Sequence, residues 1–322
     1  MEQTVLEVKD LRTYFFTRRG IVKAVDGVSF KIRRGEAFGI VGESGCGKSM
    51  TGLSILKLVP EPAGRIVGGQ ILFEGEDLAA KSEEDMRLLR GKKISMILQD
   101  PLSSLNPALS IGFQVSETLK VHQAVARKDV RQQAISMLKK LNIPAAEARM
   151  DNYPHQMSGG MRQRVVGAIA LSCQPSLLIA DEPTTCLDVT TQAQYLQLLD
   201  GARRNLKASL IFITHDFGIV AQMCDQVAVM YAGRMVEKAD VFEIFNNPRH
   251  PYTIGLEKCV PKLETRTEHL FSILGEPPVP TALPAGCSFA PRCREAMEIC
   301  SKEFPPQTEV KPGHEVCCWL CK

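Results

Sequence analysis

The sequence predicts an α/β fold with a parallel sheet, followed by a small cysteine-rich body. Short apolar blocks typical of buried strands alternate with segments of helical spacing, and this alternation is typical of a parallel sheet. The 322 residues suffice for one large domain and a smaller appendage. Six of the eleven cysteines lie beyond a proline-rich stretch at residues 277–284. This change of composition predicts the second body.

Composition and charge limit the classes of partner. Hydrophobic residues make up 44% and charged residues 23%, which is an ordinary globular balance. With 39 basic and 36 acidic residues, the net charge of +3 gives no general reason to expect a nucleic-acid partner. The start lacks the pattern of a secretory signal, and no run of ~18 apolar residues occurs. We therefore expect a soluble chain made in the cytosol, whose membrane role, if it has one, comes through a partner.

The first half of the chain contains a strand, a loop and a helix in succession. Alternating apolar residues over 5–11 predict a strand with one buried face. The block AFGIV at 37–41 predicts a short buried strand, and residues 51–58 have helical spacing. Long helical patterns between about residues 86 and 156 predict a helical insertion.

The second half repeats the alternation. The block SLLIA at 176–180 predicts a buried strand, residues 190–206 a helix, and SLIFIT at 209–214 another buried strand. Beyond Asn246 proline becomes frequent, which predicts a domain boundary in this region.

The segment GESGCGKS at residues 42–49 matches the P-loop pattern and lies between a predicted strand and helix. Its glycines let main-chain N–H groups surround phosphate oxygens, Lys48 adds a positive charge, and the Ser49 hydroxyl can bind Mg²⁺. The predicted nucleotide-binding residues in this region are Ser44, Gly45, Cys46, Gly47, Lys48, Ser49 and Met50.

Two carboxylates, Asp181 and Glu182, follow the second buried strand. Ligands bind at the carboxyl ends of strands in open α/β sheets, so we expect both side chains at the nucleotide site. Asp181 would hold Mg²⁺, usually through water, and Glu182 would polarise the water that attacks the γ-phosphate. Together with the P-loop, this pair predicts phosphoryl transfer.

The segment MSGGMRQR at residues 157–164 closely resembles the signature motif of ABC ATPases. Ser158, Gly159 and Gly160 would open a helix whose free N–H groups bind a phosphate contributed by another subunit. Met157 stands where the family commonly has leucine, a volume-conserving change. The resemblance extends over residues from about 1 to 245.

This resemblance implies the fold of a P-loop NTPase of the ABC type. A RecA-like core, an antiparallel β subdomain and a helical subdomain at about 100–160 would form a nucleotide-binding domain at 1–250, followed by an extension at 251–322. ATP and Mg²⁺ are the implied cofactors, with Ser49, Gln99 and Asp181 at the metal. The remaining roles implied are a Q-loop glutamine at Gln99, a switch histidine at His215, adenine stacking by Phe15 rather than Tyr14, and a D-loop at 185–188 with Cys186 in place of alanine.

Two further segments narrow the family. QDPLSSLNP at 99–107 and HPYT at 250–253 resemble the Q-loop region and C-terminal extension of oligopeptide, dipeptide and nickel importer ATPases. The version SGGMRQRV is similar to the first of their two non-identical ATPase subunits.

An importer of this kind implies several partners. They are a homologous second ATPase subunit in a heterodimer, two transmembrane permease subunits and, indirectly, an extracytoplasmic solute-binding protein, but no nucleic acid. The chain would lie peripherally on the cytoplasmic face of the plasma membrane and power peptide import. A nickel or other solute importer, a soluble ABC ATPase acting on nucleic acid, and a small-molecule kinase are the alternatives.

The C-terminal cysteines predict a local metal site, because clustered cysteines in a reducing cytosol favour metal binding over disulfides. The chemistry of four thiolates admits either Zn²⁺ or an iron–sulfur cluster. The family resemblance implies a [4Fe–4S] cluster on Cys287, Cys293, Cys300 and Cys318, with Cys317 as the alternative to the last ligand. A structural role is expected, since a small body with little core gains folding energy from such a centre.

Overall fold

The computed structural model describes residues 3–123, 126–185, 187–260 and 271–322. In chain order its strands are β1 (Thr4–Thr17), β2 (Gly20–Arg33), β3 (Ala37–Val41), β4 (Gly64–Phe73), β5 (Glu76–Asp77), β6 (Ile94–Ile97), β7 (Leu177–Asp181), β8 (Ser209–Thr214), β9 (Gln226–Tyr231), β10 (Arg234–Asp240), β11 (Thr308–Lys311) and β12 (His314–Val316). Its helices are α1 (Lys48–Ile55), α2 (Glu83–Leu89), α3 (Pro101–Ser104), α4 (Ile111–His122), α5 (Arg127–Lys140), α6 (Ala146–Arg149), α7 (Gly159–Leu171), α8 (Val189–Leu206), α9 (Phe217–Met223), α10 (Val241–Asn246), α11 (Pro251–Cys259) and α12 (Glu298–Lys302).

The chain divides into two compact units. The first comprises Met1–Val5, Arg33–Glu36 and Ala80–Ile211, and the second comprises Leu6–Ile32, Ala37–Ala79 and Phe212–Lys322. Strand β8 begins in the first unit and ends in the second. Helices α2 to α8 therefore belong to the first unit, and the P-loop belongs to the second.

The first unit contains a parallel strand pair, β6 and β7, whose register sets Ile94 opposite Leu177 and Ile97 opposite Ala180. All five residues of β7 are buried, as predicted for a strand inside an α/β sheet. Parallel strands end at the same edge, so the residues that follow β6 and those that follow β7 lie close together. This register accounts for the contact between Gln99 and Glu182 described below.

Side-chain caps set where several helices of the first unit begin. Ser82 and Asp85 form a capping box at α2, and the Ser110 hydroxyl accepts a hydrogen bond from the Phe113 amide at α4. Asp188 caps α8 by accepting from Thr191. Each cap satisfies main-chain donors that the first helical turn leaves without a partner. No helix within the described residues combines the length and apolar character needed to cross a bilayer.

The second unit contains two sets of strands. An antiparallel set has the order β2-β1-β4-β5. The other includes the order β11-β12-β10-β9-β3. In it β3 and β9 are parallel, whereas the pairs β9–β10, β10–β12 and β12–β11 are antiparallel. All five residues of β3 are buried, which confirms the strand predicted at residues 37–41.

The C-terminal segment joins this second set of strands. In β12, Val316 pairs with Glu237 of β10, and β11 then pairs with the other edge of β12. Residues 271–322 therefore lie in the same compact unit as the P-loop. The main-chain hydrogen bonds between β10 and β12 attach the C-terminal segment to the rest of this unit, and they do not depend on cysteine side chains.

A buried carboxylate fixes the point of attachment. The Glu237 side chain is fully buried and accepts hydrogen bonds from the main-chain N–H groups of Arg249 (2.8 Å) and His250 (2.9 Å). Its Oε1 also lies 2.7 Å from Nε2 of His314, a side chain that is 1% exposed. One carboxylate thus connects β10, the start of α11 and β12, and satisfies donors that burial would otherwise leave unpaired.

Glu237→Ala should lower the free energy of unfolding by about 3–5 kcal/mol, because it leaves buried partners without their acceptor. Urea unfolding followed by circular dichroism measures the loss. The matched control is Glu298→Ala, which removes an exposed ion pair with Lys302 and should cost below about 1 kcal/mol. Equal losses for the two variants would contradict the anchoring role of Glu237.

Candidate active site

The P-loop connects β3 to α1 in the second unit, and two of its glycines are required by close packing. A Cβ atom at Gly42 would lie 2.2 Å from the carbonyl oxygen of Met230, and one at Gly47 would lie 2.1 Å from that of Ala24. Gly47 also has a φ of +108°, in the region that favours glycine. Only glycine therefore fits at these positions, and the loop holds the main-chain N–H groups at the start of α1 in an arrangement suited to phosphate.

The P-loop lysine is held by the loop itself. Lys48 is 4% exposed, and its Nζ donates hydrogen bonds to the carbonyl oxygens of Gly42 (2.8 Å) and Glu43 (3.0 Å). Ser49 follows in the first turn of α1. The ammonium group is therefore fixed beside the loop, where a bound phosphate would meet its charge.

The acidic pair lies in the first unit at the end of β7. Asp181 and Glu182 are buried, with 5% and 9% of their surfaces exposed. The φ of Glu182 is +44°, a left-handed conformation that costs roughly 1–3 kcal/mol for a residue other than glycine. Backbone strain of this kind often accompanies functional residues, because the surrounding structure has to impose it.

Two side chains orient the Glu182 carboxylate. The Gln99 side-chain amide donates a 3.0 Å hydrogen bond to Oε2 of Glu182, and the Thr185 hydroxyl donates one of 3.1 Å to the same oxygen. The structure thus brings together two residues that the sequence predicted separately, Gln99 and Glu182. Hydrogen bonds to one carboxylate oxygen fix the direction in which the other can accept a proton.

Thr185 is the contributor that sequence reasoning missed. The family resemblance predicts that Thr185 belongs to a D-loop but implies no role for this residue. Cys186 of that loop lies outside the described residues. The available signal was the spacing, because a threonine three residues after a turn residue commonly hydrogen-bonds back to it. The Thr185 hydroxyl also lies 3.3 Å from the Glu182 carbonyl oxygen, which matches that pattern.

The signature segment opens a helix, as predicted. Ser158 caps α7, and its hydroxyl accepts a 3.3 Å hydrogen bond from the Met161 amide. A Cβ atom at Gly160 would lie 2.7 Å from Cγ2 of Thr191 at the start of α8, so a larger residue would push these segments apart. Gly159 and Gly160 lie in the first turn of α7, where main-chain N–H groups have no partner within the helix.

The remaining predicted residues lie in the second unit. His215 directly follows β8 and is exposed. Phe15 lies in β1 opposite Gly64 of β4 and is partly exposed. The neighbouring Tyr14 hydroxyl donates a 2.6 Å hydrogen bond to Asp26, which leaves Phe15 as the better candidate for stacking on a base.

The four cysteines predicted as ligands line one cavity. Cys287, Cys293, Cys300 and Cys318 contribute to its wall together with His250. Its volume of about 20 Å³ is enough for one water molecule or a single ion. The structure therefore places these four side chains around one cavity.

Cys317 lies on a different side of the chain. It lines a separate cavity with Arg234 and Phe304, whereas Cys318 lines the cavity of the other cysteines. The backbone at Cys318 is extended, with φ −146° and ψ 135°, and successive side chains of an extended segment point in opposite directions. This alternation separates the two adjacent thiols.

His250 presents a buried hydrogen-bond donor for which the described residues provide no acceptor. Its Nδ1 accepts a 3.0 Å hydrogen bond from the Tyr252 amide, so in the neutral ring Nε2 carries the proton. Burial lowers the pKa of His250 to about 3, which keeps the ring neutral. Nε2 is buried and has no hydrogen-bond partner among the described residues.

Three of the thiols that line the cavity have pKa values above the ordinary cysteine value. Burial raises the pKa values of Cys287, Cys293 and Cys318, the last to about 12. Within the described parts of the chain, no three or more His, Cys, Asp or Glu side chains are arranged to hold a metal ion. A cation that bound these thiols would therefore have to draw them together and displace their protons.

Comparison with known families distinguishes this chain from other proteins with a P-loop. A family profile described as ABC transporter matches residues 25–185, and one described as oligopeptide/dipeptide transporter, C-terminal region, matches residues 236–300. The chain belongs to the ABC transporter ATP-binding proteins. It is therefore an ATPase, and the family suggested by the signature segment is confirmed.

Individual relatives of this ABC protein cover almost its whole length. The dipeptide transport ATP-binding protein DppD of Bacillus subtilis is 49% identical over 99% of this chain and 95% of its own. The oligopeptide transport ATP-binding protein OppD of the same species is 50% identical over 98% and 88% of the two chains. OppD of Escherichia coli is 46% identical over 98% and 93%.

Solved structures agree with the family's fold. CbiO1 from Clostridium perfringens, part of the ABC transporter complex CbiONQ, is 30% identical with a TM-score of 0.65, covering 76% of this chain and 92% of its own. The dimeric bacterial ABC transporter cassette MJ0796 is 25% identical with a TM-score of 0.65, covering 73% and 98%. The nucleotide-binding fold predicted from the sequence is thereby confirmed.

Thr185→Val should lower kcat for ATP about tenfold and leave KM nearly unchanged, because the Glu182 carboxylate loses one of the hydrogen bonds that orient it. Steady-state phosphate release measures both constants. Thr185→Ser keeps the hydroxyl and serves as the matched control, so it should retain most of the rate. If the valine variant keeps the wild-type kcat, Thr185 does not orient the carboxylate.

Proposed function

We propose that the chain hydrolyses ATP to drive the import of peptides through an ABC transporter. The observation that carries this proposal is the identity of 46–50%, over nearly the whole chain, with dipeptide and oligopeptide transport ATP-binding proteins. Two permease subunits, a second homologous ATPase subunit and an extracytoplasmic solute-binding protein complete the proposed machine. The chain would work peripherally on the cytoplasmic face of the plasma membrane.

The P-loop, the acidic pair and the family resemblance support the following roles at the nucleotide. Lys48 and the P-loop amides bind the phosphates, while Ser49, Gln99 and Asp181 act at Mg²⁺. Glu182 accepts a proton from water as the water oxygen attacks the γ-phosphorus, and the bond from phosphorus to the bridging oxygen of ADP breaks. The other proposed roles are adenine stacking by Phe15, contact with the γ-phosphate by His215, and binding of the second subunit's nucleotide by Ser158, Gly159 and Gly160.

Glu182→Gln tests this function most directly. The variant should bind ATP with near-normal affinity but hydrolyse it ~10²–10⁴-fold more slowly, because the amide cannot accept the proton. In cells whose own gene has been deleted, wild type should restore uptake of a radiolabelled dipeptide, and Glu182→Gln should not.

The identity of the transported solute and the role of Glu182 as general base are tested separately. Restoration of Ni²⁺ uptake without peptide uptake would favour the nickel-importer alternative. Near-normal turnover by Glu182→Gln would remove the assignment of the base and leave the transport function standing.

We also propose that Cys287, Cys293, Cys300 and Cys318 hold a metal centre. Four thiols form a donor set typical of Zn²⁺ or an iron–sulfur cluster, and the family resemblance favours [4Fe–4S]. The cavity that they line, of about 20 Å³, has room for a single ion, so a cluster would require its wall to widen. The Nε2–H of His250, which has no acceptor among the described residues, adds a donor suited to a sulfur atom. The centre would contribute folding energy to the C-terminal segment.

Metal and sulfide analysis of anaerobically purified protein tests this centre, with Cys318→Ser and Cys317→Ser as the matched pair. About four irons and four sulfides, lost only in Cys318→Ser, would support the cluster. Zinc without sulfide would replace the cluster by the zinc alternative. Absence of both metals, or loss in Cys317→Ser alone, would refute the assignment of ligands.

A further inference from the structure

Glu43 connects the P-loop to the C-terminal segment through two separate contacts. Its main-chain N–H donates a 2.9 Å hydrogen bond to the hydroxyl oxygen of Tyr252 in α11. Its carboxylate accepts two hydrogen bonds from the guanidinium of Arg292, at 2.8 Å and 3.1 Å. Main chain and side chain of one loop residue are thus both held by residues beyond position 250.

The pair between Arg292 and Glu43 is a shielded, bidentate contact. The Arg292 side chain is 6% exposed and that of Glu43 is 26% exposed. Burial alone would lower the pKa of Arg292, but hydrogen bonds with Glu43 and Tyr231 outweigh it and raise the pKa. A further hydrogen bond of 3.1 Å, to the Leu274 carbonyl oxygen, fixes the guanidinium plane. Paired hydrogen bonds to a carboxylate are strong and allow little choice of orientation.

Aromatic rings restrict both contacts. The ring centroids of Tyr231 and Tyr252 lie 4.6 Å apart, and Phe289 lies 5.3 Å from each. Tyr252 is fully buried. Close-packed rings allow little movement, so a displacement of the segment that carries Phe289 and Arg292 is transmitted to Glu43.

Glu43 is in turn a direct partner of the P-loop lysine. Its carbonyl oxygen accepts from Nζ of Lys48 at 3.0 Å and from the Cys46 amide at 3.3 Å. If Arg292 released the Glu43 carboxylate, an unpaired negative charge would remain on the residue whose carbonyl oxygen binds the Lys48 ammonium. That charge would compete with nucleotide phosphates for the same cation.

We propose that Arg292 and Tyr252 are positioning residues for ATP binding, which act through Glu43 to hold the P-loop open to phosphate. The inference rests on the proposed ATPase function and extends it, because it assigns control of nucleotide affinity to the C-terminal segment. Arg292 immediately precedes Cys293, Tyr252 lies two residues after His250, and Cys293 and His250 both line the cysteine-lined cavity.

Arg292→Ala should weaken ATP binding about tenfold and change kcat little, because the freed Glu43 carboxylate competes for Lys48. Replacing that carboxylate as well, in the double variant Arg292→Ala with Glu43→Gln, should restore much of the affinity. If the two substitutions only damaged the structure, their losses of ATP affinity would add in the double variant. The proposal predicts instead that the second substitution relieves the first. Titration with a fluorescent ATP analogue and steady-state hydrolysis separate affinity from rate.

Arg294→Ala is the control, since Arg294 is exposed and close in sequence to Arg292. Arg292→Lys keeps the charge but not the bidentate geometry and should fall between wild type and alanine. Wild-type affinity in Arg292→Ala, or no recovery in the double variant, would overturn the proposal. If wild type itself bound no ATP, the proposed function would fail instead. Thermal unfolding verifies that each variant is folded.

Discussion

The close approach of main chain at the P-loop is the constraint on which the rest of the site depends. The glycines at 42 and 47 touch carbonyl oxygens of neighbouring segments, which leaves no space for a side chain. The loop can then curl tightly enough for its own carbonyl oxygens to hold Lys48. Because β3 is buried along its whole length, the sheet fixes the start of this loop and α1 fixes its end. The ability of this loop to bind phosphate therefore depends on packing that begins in the sheet.

The sequence predicted elements that depend on local pattern. Residues 37–41 and 209–214 form strands with the predicted bounds, and the helix predicted at 190–206 runs over Val189–Leu206. Strand β6 lies inside the stretch of helical patterns, because four residues, three of them apolar, show too little periodicity to identify a strand. Strand β12 pairs with β10, which is distant in sequence, and β11 pairs in turn with β12; local pattern does not reveal the distant partner.

At the proposed site, motifs predict the reacting groups but not the residues that contact them. Lys48, Asp181 and Glu182 could be found because their spacing follows from phosphate and metal chemistry. Thr185 and Arg292 act on other side chains, and their roles depend on distances that only the fold sets. The cysteines are an intermediate case, in which resemblance named four residues and the alternation of an extended segment separates Cys318 from Cys317.

The link between Glu43 and Arg292 spans 249 positions in the chain. A ribosome makes the P-loop long before it reaches Arg292, whose guanidinium pairs with Glu43. During that interval the nascent chain carries a P-loop without this pair, together with a strand β10 whose edge has not yet paired with β12. Contacts between residues far apart in sequence slow folding and prolong the exposure of unpaired strand edges. Support of the P-loop is thereby tied to synthesis of the segment that carries Arg292, and a chain interrupted before that residue lacks the pair with Glu43.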